Sequence, residues 1–143
     1  MPENVDITLA VKALILQNPV IAQQATVVIN RLPQGVRGNS ICLWVVGANA
    51  FNHLGGSTGL DQARVQLDAY GDEPAKAAEL SWRLWRTLDG FQGVVDEVHI
   101  LGSMRLTAPR QLTDRVLVGT DEYRFVNTQD FRFTFNSLAK VMT

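Results

Sequence analysis

The chain reads as an α+β fold: an antiparallel or mixed β-sheet of about five strands with two helices packed on one face. Three observations predict this. Two segments, 5–17 and 72–88, carry apolar residues at helical spacing. Two others, 61–70 and 122–136, alternate apolar and polar residues at the period of a strand. The strands follow one another through connections too short for repeated β-α units, giving the order α-β-β-β-α-β-β.

The first helix is expected over 5–17. Val5, Leu9, Ala13 and Leu16, with Ile7, Val11 and Leu14, make a wide apolar surface. Asn4 or Asp6 supplies an N-cap, and Asn18-Pro19 stops the helix because a residue before proline is pushed out of the helical region. Residues 25–30 are short and β-branched, a strand. Turns follow at 31–35 and at Gly38-Asn39. The strand at 41–46 is apolar on both faces, with Ile41, Leu43 and Val45 on one and Cys42, Trp44 and Val46 on the other.

Residues 47–60 contain Gly55-Gly56-Ser57-Thr58-Gly59 and read as a flexible loop. The strand at 61–70 turns Ala63, Val65, Leu67 and Ala69 one way and Gln62, Arg64, Gln66 and Asp68 the other. In the helix at 72–88, Asp72 is the expected N-cap and Pro74 suits the first turn. Ala77, Leu80, Ser81, Leu84 and Leu88 form its core stripe, widened by Trp85, and Gly90 takes the left-handed cap.

Residues 94–107 read as one strand with Val98, Ile100, Met104 and Leu106 on a common face and Gly102 marking a bulge. A second long loop is expected over 108–120. The last strand, 122–136, has an aromatic face of Tyr123, Phe125, Phe131, Phe133 and Phe135. Its polar face is Arg124, Thr128, Asp130, Arg132 and Thr134.

At 143 residues the chain fits a single domain, 1–143, large enough to bury a core without disulfides. Its one cysteine, Cys42, excludes an intramolecular disulfide. Thirteen basic residues against fourteen acidic ones argue against a dedicated nucleic-acid binder. The apolar stretches at 9–16 and 41–46 are well short of the ~20 residues of a spanning helix, so no membrane association is expected. The acidic start is unlike a signal peptide, and the expected location is intracellular.

The chemistry on offer is sparse. Gly55-Gly56-Ser57-Thr58-Gly59 fits the Gly-x-Ser-x-Gly pattern, but a nucleophile elbow needs a strand before the serine and a helix after it. His53, His99 and Cys42 show no paired metal-ligand spacing. No catalytic residue, metal or cofactor is expected. The alternative class is a small cytoplasmic α+β enzyme or adaptor domain using the Gly-rich loop around Ser57.

Interaction surfaces are the sharper expectation. Ten of the thirteen basic residues are Arg, which suits interfaces because the guanidinium fork binds carboxylates in a bidentate way. The candidates are Arg83 and Arg86 on the second helix, with Arg105, Arg110 and Arg115 around the 108–120 segment. Phe51 and Leu54 are apolar residues out of place in a free loop. Trp44 projects from the face opposite Ile41 and Leu43, where a neighbouring subunit or a loop must cover it.

Two stretches carry a resemblance: Arg64-Val65-Gln66-Leu67-Asp68-Ala69-Tyr70-Gly71, and the helix end Leu88-Asp89-Gly90-Phe91-Gln92-Gly93. With the N-terminal helix, the Leu32-Pro33-Gln34-Gly35 turn and the closing Asp130-Phe131-Arg132-Phe133, the chain resembles the tail-completion, or tail terminator, proteins of long-tailed bacteriophages. Their role is similar to that of siphophage head-tail joining proteins. It departs from that family at Asn39-Ser40, where a proline is expected, and at Phe133-Thr134-Phe135, where a tryptophan is common.

The resemblance implies a structural virion protein acting as a homo-oligomer, a hexameric ring. Such a ring caps the tail tube, ends tube polymerisation and meets the head connector or stopper protein. DNA passes through its lumen without sequence-specific binding. The implied location is the head-proximal end of the virion tail, after assembly in the host cytoplasm.

Overall fold

The computed structural model describes residues 7–30, 38–53, 56–111, 116–118 and 122–136, with side chains placed outside 48–59 and 111–124. Helix α1, Ile7–Leu16, buries Ile7, Ala10, Val11, Leu14 and Ile15. The apolar surface is narrower than expected, because Leu9 and Leu16 face outward. The proposed caps Asn4 and Asp6, and Val5, lie outside the described residues.

Asn18-Pro19 ends α1 and also starts a helix the sequence did not announce, α2 at Pro19–Gln24. Asn18 Oδ1 accepts from the Val20 and Ile21 amides at 3.0 and 3.3 Å, and Pro19 fits a first turn that needs no N–H. The Asn18 amide also donates to Thr87 Oγ1 at 2.9 Å, tying α2 to the third helix.

Strands β1 (Ala25–Ile29), β2 (Asn39–His53) and β3 (Gly56–Gly71) follow, then α3 (Pro74–Leu88). Next come β4 (Gly93–Val95), β5 (Val98–Arg105), β6 (Arg110–Gln111), β7 (Val116–Val118) and β8 (Glu122–Asn136). The sheet runs β1-β2-β3-β8-β5-β4, with β6 and β7 also pairing with β8. The β1–β2 pair is parallel and the others antiparallel, so the sheet is mixed. The α+β class holds; the described chain has three helices and eight strands rather than two and about five.

Four expectations about elements are corrected. The 47–60 loop is the outer half of a hairpin, with Ala50 opposite Asp61 and His53 opposite Gly56. The 94–107 strand is two strands, turned by Asp96 and Glu97 at φ 50° and 64°. Two consecutive left-handed residues are the geometry of a tight hairpin turn, here without the usual Gly or Asn. The 108–120 loop contains β6 and β7. Finally, Glu73, not Asp72, is the α3 N-cap, and its side chain makes no capping hydrogen bond.

One sheet face forms the core with the helices. Ile41 and Leu43, Ala63, Val65, Leu67 and Ala69, and Phe131, Phe133 and Phe135 pack with α1, Ile21 and the α3 stripe Leu80, Leu84 and Leu88. Burying a phenylalanine such as Phe131 or Phe133 contributes about 2–3 kcal/mol. Gln129 continues their face under α3, its amide donating to the Ser81 carbonyl (2.6 Å) and Ser81 Oγ (2.9 Å). Gly71 closes the β3–α3 corner, where a Cβ would lie 2.9 Å from the Ala77 backbone nitrogen.

The expected face of β5 breaks at the bulge. Ile100 lies opposite Phe135, but Gly102 lies opposite Thr134 and Met104 opposite Arg132. The extra residue reverses the alternation. Met104 is therefore on the outer face, 56% exposed, instead of beside Val98 and Ile100 in the core.

Candidate interaction surfaces

Pairing fixes the side of the sheet away from the helices. In successive rows, Gln62, Arg64, Gln66 and Asp68 on β3 stand opposite Thr134, Arg132, Asp130 and Thr128 on β8. Trp44 and Cys42 on β2 extend the Gln66 and Asp68 rows. Opposed residues in an antiparallel pair share a face, so these side chains are neighbours.

The centre of this outer face is buried. Cys42 is 1% exposed, Asp68 5%, Thr128 5% and Asp130 4%. Arg64 donates through Nε and Nη2 to Asp130 Oδ2, at 2.8 and 2.5 Å. The other oxygen, Asp130 Oδ1, is buried without a hydrogen-bond partner. The Gln66 amide donates to Asp68 Oδ1 at 3.1 Å. Burial pushes the Asp68 carboxyl above its ordinary range. The Thr128 and Gln66 side chains work against that shift, the Asp130 charge adds to it and Arg110 opposes it. Burial, with Asp68 nearby, also raises the Cys42 thiol to about 11; burial, with Asp68 and Cys42, raises the Tyr70 hydroxyl to about 12.

This carboxyl pair was not anticipated. The sequence already placed Asp68 and Asp130 on polar strand faces; only the β3–β8 pairing puts those faces together. Among the described residues no three His, Cys, Asp or Glu side chains converge as metal ligands.

The expected interface residues divide between opposite sides of the domain. Trp44 lies on the outer face but is only partly exposed, and its indole N–H is buried without a partner. Arg110 in β6 faces the same way, opposite Thr128. On the helix side, Arg83 donates to Glu79 at 2.8 Å. Arg86 stacks on Trp82 at 4.8 Å from the ring centroid, and Arg105 on Trp85 at 3.9 Å. The Asp89 carboxylate accepts from the Arg105 amide at 2.9 Å and from the Trp85 indole at 3.4 Å. These contacts join α3 to β5 and leave Trp82 49% exposed.

The side chain of Phe51 lies outside those described, as do Leu54 and Arg115. Ser57 sits near the start of β3, with strand β2 before it and strand continuing after it. A hairpin does not provide the strand-to-helix turn that strains and exposes an elbow serine.

The last β3–β8 pair toward the hairpin end is Leu60 with Asn136. Beyond it, β2 and β3 pair with each other through Asn52–Ser57 and His53–Gly56. Among the described residues, the β1 pairing on the other side of β2 ends at Leu43. Among the described residues, the hairpin end is thus a two-stranded arm extending past the rest of the sheet.

These features define an α+β domain with one helix-covered face, one polar face and a projecting β-arm. Compared with known proteins, the chain matches no family model and no curated sequence. Among the described residues, no helix is long and apolar enough to cross a membrane.

Proposed function

We propose that the chain is a non-enzymatic tail terminator of a long-tailed phage or phage-like particle. In this reading it forms a hexameric ring that caps the tail tube and ends its polymerisation. The ring contacts the tube protein on one side and the head connector or stopper on the other, and DNA passes through its lumen.

The observation that carries the reading is the arm. A two-stranded hairpin is at best marginally stable alone in water, and an open strand edge invites pairing with another chain. Here the ladder continues to His53–Gly56, beyond the last β8 partner at Leu60. A closed ring of identical subunits needs two different complementary surfaces on each subunit. The arm is suited to be one of them, and the Trp82–Arg86 surface of α3 offers aromatic and arginine side chains of the kind enriched at interfaces. The resemblance carried by residues 64–71 and 88–93 supplies the biological setting.

The test is tube growth with the tube protein of the same particle. The intact chain should stop elongation. A variant with residues 51–59 replaced by a short turn should keep its circular dichroism and fail to stop elongation. Capping by the armless variant would contradict the role given to the arm, and no capping by the intact chain would contradict the terminator reading.

A further inference from the structure

A shallow depression of about 190 Å³ opens on the outer face, lined by Gln62, Gly102, Ser103, Met104, Arg132 and Thr134. Its origin is local. The bulge places Gly102 opposite Thr134, so the row Gln62–Thr134–Gly102 ends on a residue without a side chain. A Cβ at Gly102 would meet nothing within 4 Å.

The lining has one cation, Arg132, and no carboxylate. Arg64 stands directly opposite Arg132 on the same face. Like charges so placed are unfavourable unless something balances them. Asp130 does not balance both, because Arg64 takes its Oδ2 and its Oδ1 has no hydrogen-bond partner. Among the described residues Arg132 has no ion-pair partner. The Gln62 amide donates to Thr134 Oγ1 at 3.3 Å, which leaves the Thr134 hydroxyl proton available to a further acceptor.

We infer that this depression binds a small oxyanion, a carboxylate or phosphate group, with the Arg132 guanidinium as its charged anchor and the Thr134 hydroxyl as a second donor. A guanidinium presents two parallel N–H groups that match both chemistries. Met104 supplies an apolar wall. The inference concerns the folded subunit and does not depend on ring formation.

The experiment uses the full chain labelled with ¹³C at its methionine methyls, titrated separately with sodium phosphate and sodium acetate at constant ionic strength, with chloride as reference. The Met104 methyl resonance should shift and saturate. Saturation with phosphate alone supports a phosphate ligand, with acetate alone a carboxylate ligand, and with both the general oxyanion site. Arg132→Gln should weaken binding at least about tenfold, the loss of one charge-assisted anchor. Gly102→Leu should fill the depression and abolish saturation, and its amide spectrum should remain that of a folded chain. Arg86→Gln, on the helix side, should leave binding unchanged. No saturable shift with either anion, or equal binding by Arg132→Gln, would overturn the site.

Discussion

Asp68→Asn should stabilise this protein, although it changes a residue that is 5% exposed and hydrogen-bonded. The carboxyl is buried, and its neighbour Asp130 adds an unfavourable charge. A folded-state pKa raised above the unfolded value means that the folded chain holds its proton more tightly. Stability then falls as pH rises from the ordinary aspartate value of 3.8 through the raised value. Asparagine keeps the shape and the acceptor for Gln66 and removes the buried charge. Removing the desolvation cost of a buried, incompletely compensated carboxylate is worth roughly 1–3 kcal/mol. Weaker Thr128 and Gln66 hydrogen bonds to a neutral amide, and loss of the Arg110 attraction, offset part of that gain, leaving about 1–2 kcal/mol. For a chain of this size, this corresponds to a Tm rise of roughly 3–8 °C. Thermal unfolding should show the gain at pH 8 and its disappearance below the ordinary aspartate range, where the wild-type carboxyl is neutral in both states. A lower Tm for the variant at pH 8 would refute the reasoning, because it would mean that the fold needs the charge.

Cys42, with its thiol raised to about 11 and 1% exposed, should resist alkylation at pH 8 in the folded chain and react on unfolding in urea; rapid labelling of the native protein would place it elsewhere. Gly71→Ala should lower stability by about 1–3 kcal/mol in urea unfolding, since its Cβ meets backbone at Ala77 and Glu73. Gly102→Ala should change it by less than about 0.5 kcal/mol. Trp44→Ala should leave far-UV circular dichroism unchanged while weakening subunit association by about 2 kcal/mol or more, read as smaller species in native mass spectrometry; unfolding of the subunit would instead assign Trp44 a folding role.

Strong periodicity made part of the fold legible. The α3 stripe Ala77, Leu80, Ser81, Leu84 and Leu88 is buried as the spacing required. β8 spans 122–136, and its odd positions Phe131, Phe133 and Phe135 enter the core. Other features depend on partners distant in the chain. Gly56, Ser57 and Gly59 have little strand preference of their own, yet they lie in β3; Gly56 pairs with His53 and Ser57 with Asn52. Gly102 was visible as a bulge, but its consequence for Met104 followed only from counting register across β8. The Asp68–Asp130 neighbourhood is a tertiary fact, since neither residue marks the other in sequence. The outer-face position of Trp44 is legible in the alternation of its strand, whereas the placement of Arg110 on that face and of Arg105 on the helix side depends on the β6–β8 and bulged β5–β8 registers.

Subunit mass in native solution tests the central claim most directly. Native mass spectrometry of the purified chain, alone and with tube protein, should show a species at six times the 15.8 kDa subunit mass, and negative-stain images should show six-fold rings with an open channel. A chain that stays monomeric under both conditions, with no ring in the images, would contradict the tail-cap account.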